Sequence, residues 1–183
     1  MKTYKALIQQ VFEFGNYKLV PIRFQDRFDI MKWRNEQIYH LRQKNALTQE
    51  DQENYFNNVI EKSFNETHPN QILFSFLNEN ICIGYGGLVH INWIDQNAEL
   101  SFIMDTNEEK DGFQQNWTIF LKLIEIAAFE TLKFHKIFSY AFDLRQHLYS
   151  VLEMNNYKKE AILSEQCFYN DKFIDVIIHS KIK

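Results

Sequence analysis

An α+β fold, with a mixed, largely antiparallel seven-stranded sheet and helices on both faces, follows from three features of the sequence. Ala98, Leu100, Phe102 and Met104 alternate with Glu99, Ser101, Ile103 and Asp105, the period of a half-buried strand. Trp117, Phe120, Leu121, Ile124, Ala128 and Leu132 recur at three- and four-residue spacing, one face of a helix. Ile137 to Phe142 is a β-branched and aromatic run, a second strand. Strand, helix and strand in succession form a right-handed crossover between parallel strands. Ligands gather at the carboxyl ends of such strands and anions at the helix N-terminus, so the loop Thr106 to Asn116 is the first place to seek chemistry.

The other elements follow in order. Ala6 to Phe14 and Tyr17 to Phe24 flank Gly15-Asn16, a hairpin signal. The second run is the safer strand, and Pro21 suggests an edge. Asp26 can cap a helix bearing Phe28, Ile30, Met31 and Trp33 that ends near Gln37. Ile38 to Leu47 is ambiguous. Thr48 and Asp51 resemble a capping box for a helix from Gln49 to Phe64, with Tyr55, Phe56, Val59, Ile60 and Phe64 on one stripe. Gln71 to Leu77 and Ile81 to Trp93 are strands about a Glu79-Asn80 turn. Gly84, Gly86 and Gly87 imply a bulge or a close backbone approach, with a bulge at Tyr85 to Gly87 opening toward a ligand. Arg145 to Met154 is a short helix. Tyr157 to Phe168 and Lys172 to Ile182 are the final strands.

The chain has 183 residues, 45% of them hydrophobic with 17 Phe, enough for one domain, 1–183, with a sizeable core. A net charge of −4 gives no basic footprint for nucleic acid. No apolar run approaches the ~20 residues of a spanning helix, so no membrane role is expected. Cys82 and Cys167 suggest neither a disulfide framework nor a metal site, and a cytoplasmic location is the default expectation. No nucleophile–base motif stands out.

This order, with KLVPIRFQDRFDIMKWRN, IGYGGLVHINWIDQNAELSFIMD, AAFETLKFHKIFSYAFD, NNYKKEA and DKFIDVIIHS, resembles the GNAT superfamily of acetyl-CoA-dependent N-acetyltransferases from Lys18 to Lys181. Trp33-Arg34-Asn35 is similar to the branch of ribosomal-protein N-terminal and bacterial amino-sugar acetyltransferases, and the pattern is closest to amino-sugar enzymes of pseudaminic acid biosynthesis. The resemblance implies acetyl-CoA as co-substrate and a small-molecule amine as acceptor, most simply that of a nucleotide-linked amino sugar; it leaves a homodimer open. It implies that the fourth and fifth core strands part, with the pantetheine arm along the backbone of Leu100, Ser101, Phe102, Ile103 and Met104. The diphosphate then falls to Gly112, Gln114, Gln115, Asn116 and Trp117, with Arg145 in reach. Glu99 is carried over as general base and Tyr149 as the acid; Trp33, Arg34, Asn35 and Tyr85 line the acceptor side.

Two departures stand out. The family's glycine-rich diphosphate loop retains only Gly112, and Glu108, Glu109 and Asp111 put negative charge there against Lys110 alone. The helix position of the family's acid tyrosine holds Leu152, so Tyr149 is a substitute one turn earlier. These departures motivate two alternatives: a GNAT-fold binding or interaction module without catalysis, or a protein N-terminal acetyltransferase.

Overall fold

The computed structural model describes residues 2–183. The Gly15-Asn16 turn, with Gly15 at φ +58°, closes a hairpin of β1 (Phe12–Phe14) and β2 (Tyr17–Pro21). Only the end of the Ala6 to Phe14 run is extended. Upstream, the Tyr4 hydroxyl donates to the Leu73 carbonyl at 2.8 Å and draws Tyr4 and Leu7 into the core. Next comes α1 (Arg27–Glu36). Asp26 does not cap it: its carboxylate accepts from Arg23 Nε at 2.7 Å and Ser75 Oγ at 2.6 Å. The ambiguous Ile38 to Leu47 stretch is one tight turn, Ile38–His40, and then loop. The Thr48–Asp51 capping box is present and opens α2 (Gln49–Tyr55), which continues through a wide π-turn, Phe56–Ile60, into α3 (Glu61–Asn65).

β3 (Ile72–Asn78), β4 (Ile81–Asn92) and β5 (Asn97–Met104) form an antiparallel meander. The segment expected as a loop is instead α4 (Thr106–Asp111), because the Asp105 carboxylate caps it by accepting from Asn107 N at 2.8 Å. α5 (Phe113–Glu125) follows Gly112 directly, with a second π-turn, Ile126–Thr131, at its end. Then come β6 (Lys136–Phe142), α6 (Gln146–Met154), β7 (Lys158–Tyr169) and β8 (Lys172–Ile182). The eight strands make one sheet in the order β1-β2-β3-β4-β5-β6-β8-β7, one strand more than expected because β1 pairs separately. Among the described residues no helix is long and apolar enough to cross a membrane.

β5 is the axis of this arrangement. It is bonded to β4 as far as Gly84↔Met104, but its parallel pairing with β6 ends after Asn97↔Lys136, Ala98↔Ile137 and Glu99↔Phe138. β6 meanwhile stays with β8 to Phe142↔Val176. From Leu100 onward the two strands part, and the peptide groups of β5 that point away from β4 face an open wedge. Aromatic packing fixes α5 beneath it. Phe102 stacks on Phe120 with centroids 4.0 Å apart and meets Trp117 edge-on at 5.0 Å.

The three β4 glycines permit close approach and do not form the expected Tyr85–Gly87 bulge. A Cβ on Gly86 would stand 2.2 Å from the Ser101 carbonyl oxygen and 2.8 Å from Phe102 Cα. The slip between β4 and β5 lies further on, between Val89 and Asn92, where His90 takes a φ of +48°. Gly86→Ala therefore pushes β5 away from β4. Urea denaturation should show a loss of about 1–3 kcal/mol, the usual cost of overpacking.

Candidate active site

The wedge is lined by Glu99, Leu100, Ser101, Phe102 and Ile103 of β5 and by Ser139, Tyr140, Ala141 and Phe142 of β6. Trp117, Arg145 and Leu148 complete it from the helices, and His40, Leu41 and Arg42 from the loop after α1; its cavity volume is about 110 Å³. A second cavity, of about 320 Å³, lies on the other side of β5 and is lined by Arg34, Tyr55, Asn70, Gln71, Leu73, Tyr85, Val89 and His90. Leu41, Arg42 and Ser101 line both, so the two spaces meet there. A smaller apolar cavity beside the second shares Arg34, Tyr55 and Tyr85 with it.

Glu99 sits at the closed end of the wedge, on the last residue pair before the strands part, and is 5% exposed. Burial pushes its carboxyl above the usual glutamate value, while Arg42 and His90 oppose that shift. Arg42 makes an ion pair with Glu99, and its guanidinium lies 4.7 Å from the Tyr140 ring centroid, so this side chain spans the mouth of the wedge. His90 Nε2 is 3.9 Å from the Glu99 carboxylate, brought there by the slip in β4. Nothing in the periodicity of either segment marks Arg42 or His90; both reach Glu99 through irregular backbone.

The other expected site residues divide. Leu100 to Ile103 line the wedge, whereas Met104 is fully buried and its carbonyl accepts from Gln37 Nε2 at 2.8 Å. Trp33 does not line the acceptor cavity: it is 3% exposed, and its Nε1 donates to Asp105 Oδ2 at 2.8 Å, tying α1 to the end of β5. Asn35 also turns away and clamps the loop, accepting from Leu47 N at 2.8 Å and donating to Leu47 O at 2.9 Å. Arg34 and Tyr85 do face the cavity, bonded to each other at 2.6 Å. Tyr149 does not line the wedge. Its ring stacks on buried His179 at 5.2 Å, and its hydroxyl donates toward Asp143 Oδ1 at 3.1 Å. Burial and the Asp143 charge raise that phenol far above its ordinary value, which makes it a poor proton donor. Leu152, at the family's tyrosine position, is core. Tyr140, unmarked in the sequence, lines the wedge, but its hydroxyl lies 3.9 Å from Cys167 Sγ of β7.

The phosphate end carries its own anions. Glu108 Oε2 accepts from Asn116 Nδ2 at 2.6 Å and would lie 2.7 Å from a Cβ on Gly112, so its carboxylate covers the first turn of α5. Gln114 and Gln115 project outward, toward Met154 and Tyr17. Arg145 is 5% exposed and pairs with Glu109, its Nη1 lies 3.4 Å from His40 Nδ1, and its Nε is buried without a partner. His40 is held neutral, pushed down to about 3 by burial and by the Arg145 charge. The wedge thus suits an extended, amide-bearing arm that can pair with the free edge of β5. Arg145 is the cation for an anionic end, and Glu108 and Glu109 compete for that place. Among the described residues no cluster suited to a metal ion occurs.

The family model of the acetyltransferase (GNAT) domain matches residues 19–178. No curated protein matches the chain. Among solved structures, the spermidine N-acetyltransferase from Vibrio cholerae in complex with CoA and spermine superposes with a TM-score of 0.77 at 19% identity, over 91% of this chain and 95% of that one. The dodecameric structure of the Vibrio cholerae spermidine N-acetyltransferase in an intermediate state gives 0.75 at 20% identity, over 91% and 94%. At these identities the likeness is one of fold.

The environment of Glu99 has a direct readout. Its side-chain carboxyl, followed by carbon-13 NMR, should titrate above the ordinary 4.5. Arg42→Gln removes the opposing charge and should move the midpoint further up; a downward move would contradict the placement.

Proposed function

The chain belongs to the GNAT acetyltransferase family, and we propose that it moves an acetyl group from acetyl-CoA to a primary amine, with a nucleotide-linked amino sugar as acceptor. The observation that carries this reading is the wedge between β5 and β6, open from Leu100 and closed at Glu99. The backbone of Leu100 to Ile103 and the side chains of Trp117 and Leu148 would hold the pantetheine arm, and Arg145 with the first turn of α5 the diphosphate. Acetyl-CoA, when bound, supplies an acetyl group activated as a thioester.

The chain's own residues do the rest. An amine entering from the second cavity reaches the junction at Leu41, Arg42 and Ser101. Most amines are protonated at neutral pH and must lose a proton before attack. Glu99 is the base in place to take it, directly or through water, and its raised pKa makes it a better base than an exposed glutamate. The nearby charges of Arg42 and His90 act against that rise. Unpaired N–H groups on the wedge edge of β5 would steady negative charge on the carbonyl oxygen. With Tyr149 outside the wedge and the Tyr140 hydroxyl beside Cys167 of β7, the departing thiolate takes its proton from solvent. The amino-sugar preference rests on the Trp33-Arg34-Asn35 resemblance, together with an acceptor cavity walled by Tyr55, Tyr85 and Arg34.

Acetyl-CoA should raise the melting temperature, since a ligand of the folded state alone adds about 2.7 kcal/mol at a hundredfold excess over Kd. No shift at millimolar concentration would favour the non-catalytic alternative. Glu108→Gln keeps a partner for Asn116 but removes the charge, and should tighten acetyl-CoA binding several-fold by calorimetry. Glu99→Gln should keep that binding and lower kcat by roughly 100- to 10,000-fold. In the wild type, kcat/KM should rise with pH through the elevated Glu99 pKa; that acid limb should vanish in the variant.

A further inference from the structure

Of the five arginines in the chain, four have a carboxylate partner: Arg23 with Asp26, Arg27 with Glu53, Arg42 with Glu99 and Arg145 with Glu109. Arg34 is the exception. Among the described residues no carboxylate lies within salt-bridge distance of it, and its contacts are neutral: Nε to Gln43 Oε1 at 2.9 Å and Nη1 to the Tyr85 hydroxyl at 2.6 Å. A guanidinium carries five N–H donors, so several are left over. The side chain is half-buried in the wall shared by the two acceptor-side cavities. Removing a cation from water is costly unless an anion offsets it. Arg34 bears that cost with no anion of the chain's own within salt-bridge distance, in the wall of a 320 Å³ cavity that no Asp or Glu side chain lines; Asp51 lines only the smaller neighbouring one.

We propose that Arg34 is the docking point for an anionic group on the acceptor, so that the amine substrate carries a phosphate or carboxylate, and polyamines are excluded. This rests on the acetyl-transfer reading above and narrows its acceptor. The planar fork suits two-point recognition of a phosphate or carboxylate. Tyr85 and Gln43 hold two of its nitrogens and so fix the plane in advance. A polyamine presents only positive charge, which the unpaired Arg34 repels in this cavity. The chain shares its fold with spermidine N-acetyltransferases. The charge of the cavity, not the fold, would then set the acceptor class.

Direct binding tests the point without requiring transfer. Calorimetry on the full chain would use uridine diphosphate, glucosamine 6-phosphate, glutamate, uncharged glucosamine and spermidine. Binding of at least one anionic probe is expected, at least tenfold tighter than glucosamine, with spermidine not binding. Arg34→Gln should weaken the anionic probe tenfold or more and leave glucosamine unchanged; Arg34→Lys should restore part of the loss. A response confined to the phosphate probes or to glutamate identifies the anion. In the absence of ligand, Arg34→Gln should melt no lower than the wild type, because an unpaired cation has been removed. A purely structural role for Arg34 requires a lower melting temperature. Spermidine binding tighter than every anionic probe, or an equal loss for all probes in Arg34→Gln, overturns the proposal. An acetyl-CoA titration on the same preparation separates this from a failure of the acetyl-transfer reading, since that binding does not involve Arg34.

Discussion

Three residue pairs hold β5 and β6 together, and everything at the site depends on the pairing stopping there. A sheet normally satisfies both edges of an internal strand. Here β5 is served fully by β4, while on the other side its backbone polar groups beyond Glu99 face a gap. β6 does not close that gap because β8 holds it over its whole length. The packing of Phe102, Phe120 and Trp117 then fixes the floor, so the opening is built from rigid elements rather than from loops alone. An internal strand edge left free in this way is a standing template for another amide-bearing chain.

Charge is distributed around the opening with little to spare. Glu99 is buried at its closed end, and Arg42 and His90 oppose the upward push of burial on its pKa. At the far end Arg145 is already engaged by Glu109, and Glu108 lies across the first turn of α5. A diphosphate must therefore displace carboxylates of the chain itself. Family members with a glycine-rich loop offer bare N–H groups instead, and the difference falls on affinity rather than on the chemistry at Glu99.

Much of the fold was legible because it rests on periodicity. The alternation in Ala98 to Met104, the helical stripe from Trp117 and the Thr48–Asp51 box were readable, while the parting of the strands was implied only by the family resemblance. What was not legible depended on side chains competing with local rules. Asp105 turned an expected loop into α4, Arg23 and Ser75 took Asp26 from its cap, and the irregularities of β4 fall beside Gly84 and near His90 rather than at Tyr85–Gly87. At the candidate site, Glu99, named from the family resemblance, lines the wedge, and Arg34 and Tyr85, named the same way, line the second cavity. Trp33 and Asn35 shared their motif but proved to be fasteners. Arg42 lies in the stretch that had no pattern at all, which is why no reading by period could reach it.

The wedge and the second cavity touch only where Leu41, Arg42 and Ser101 line both. Each reactant then has a berth of its own, and neither must vacate for the other to arrive. Such a layout favours direct handover in a complex of three bodies over a shuttle in which the protein carries the group alone between visits. It also makes the side chain of Arg42, paired to Glu99 and lying over Tyr140, a wall that both cavities share.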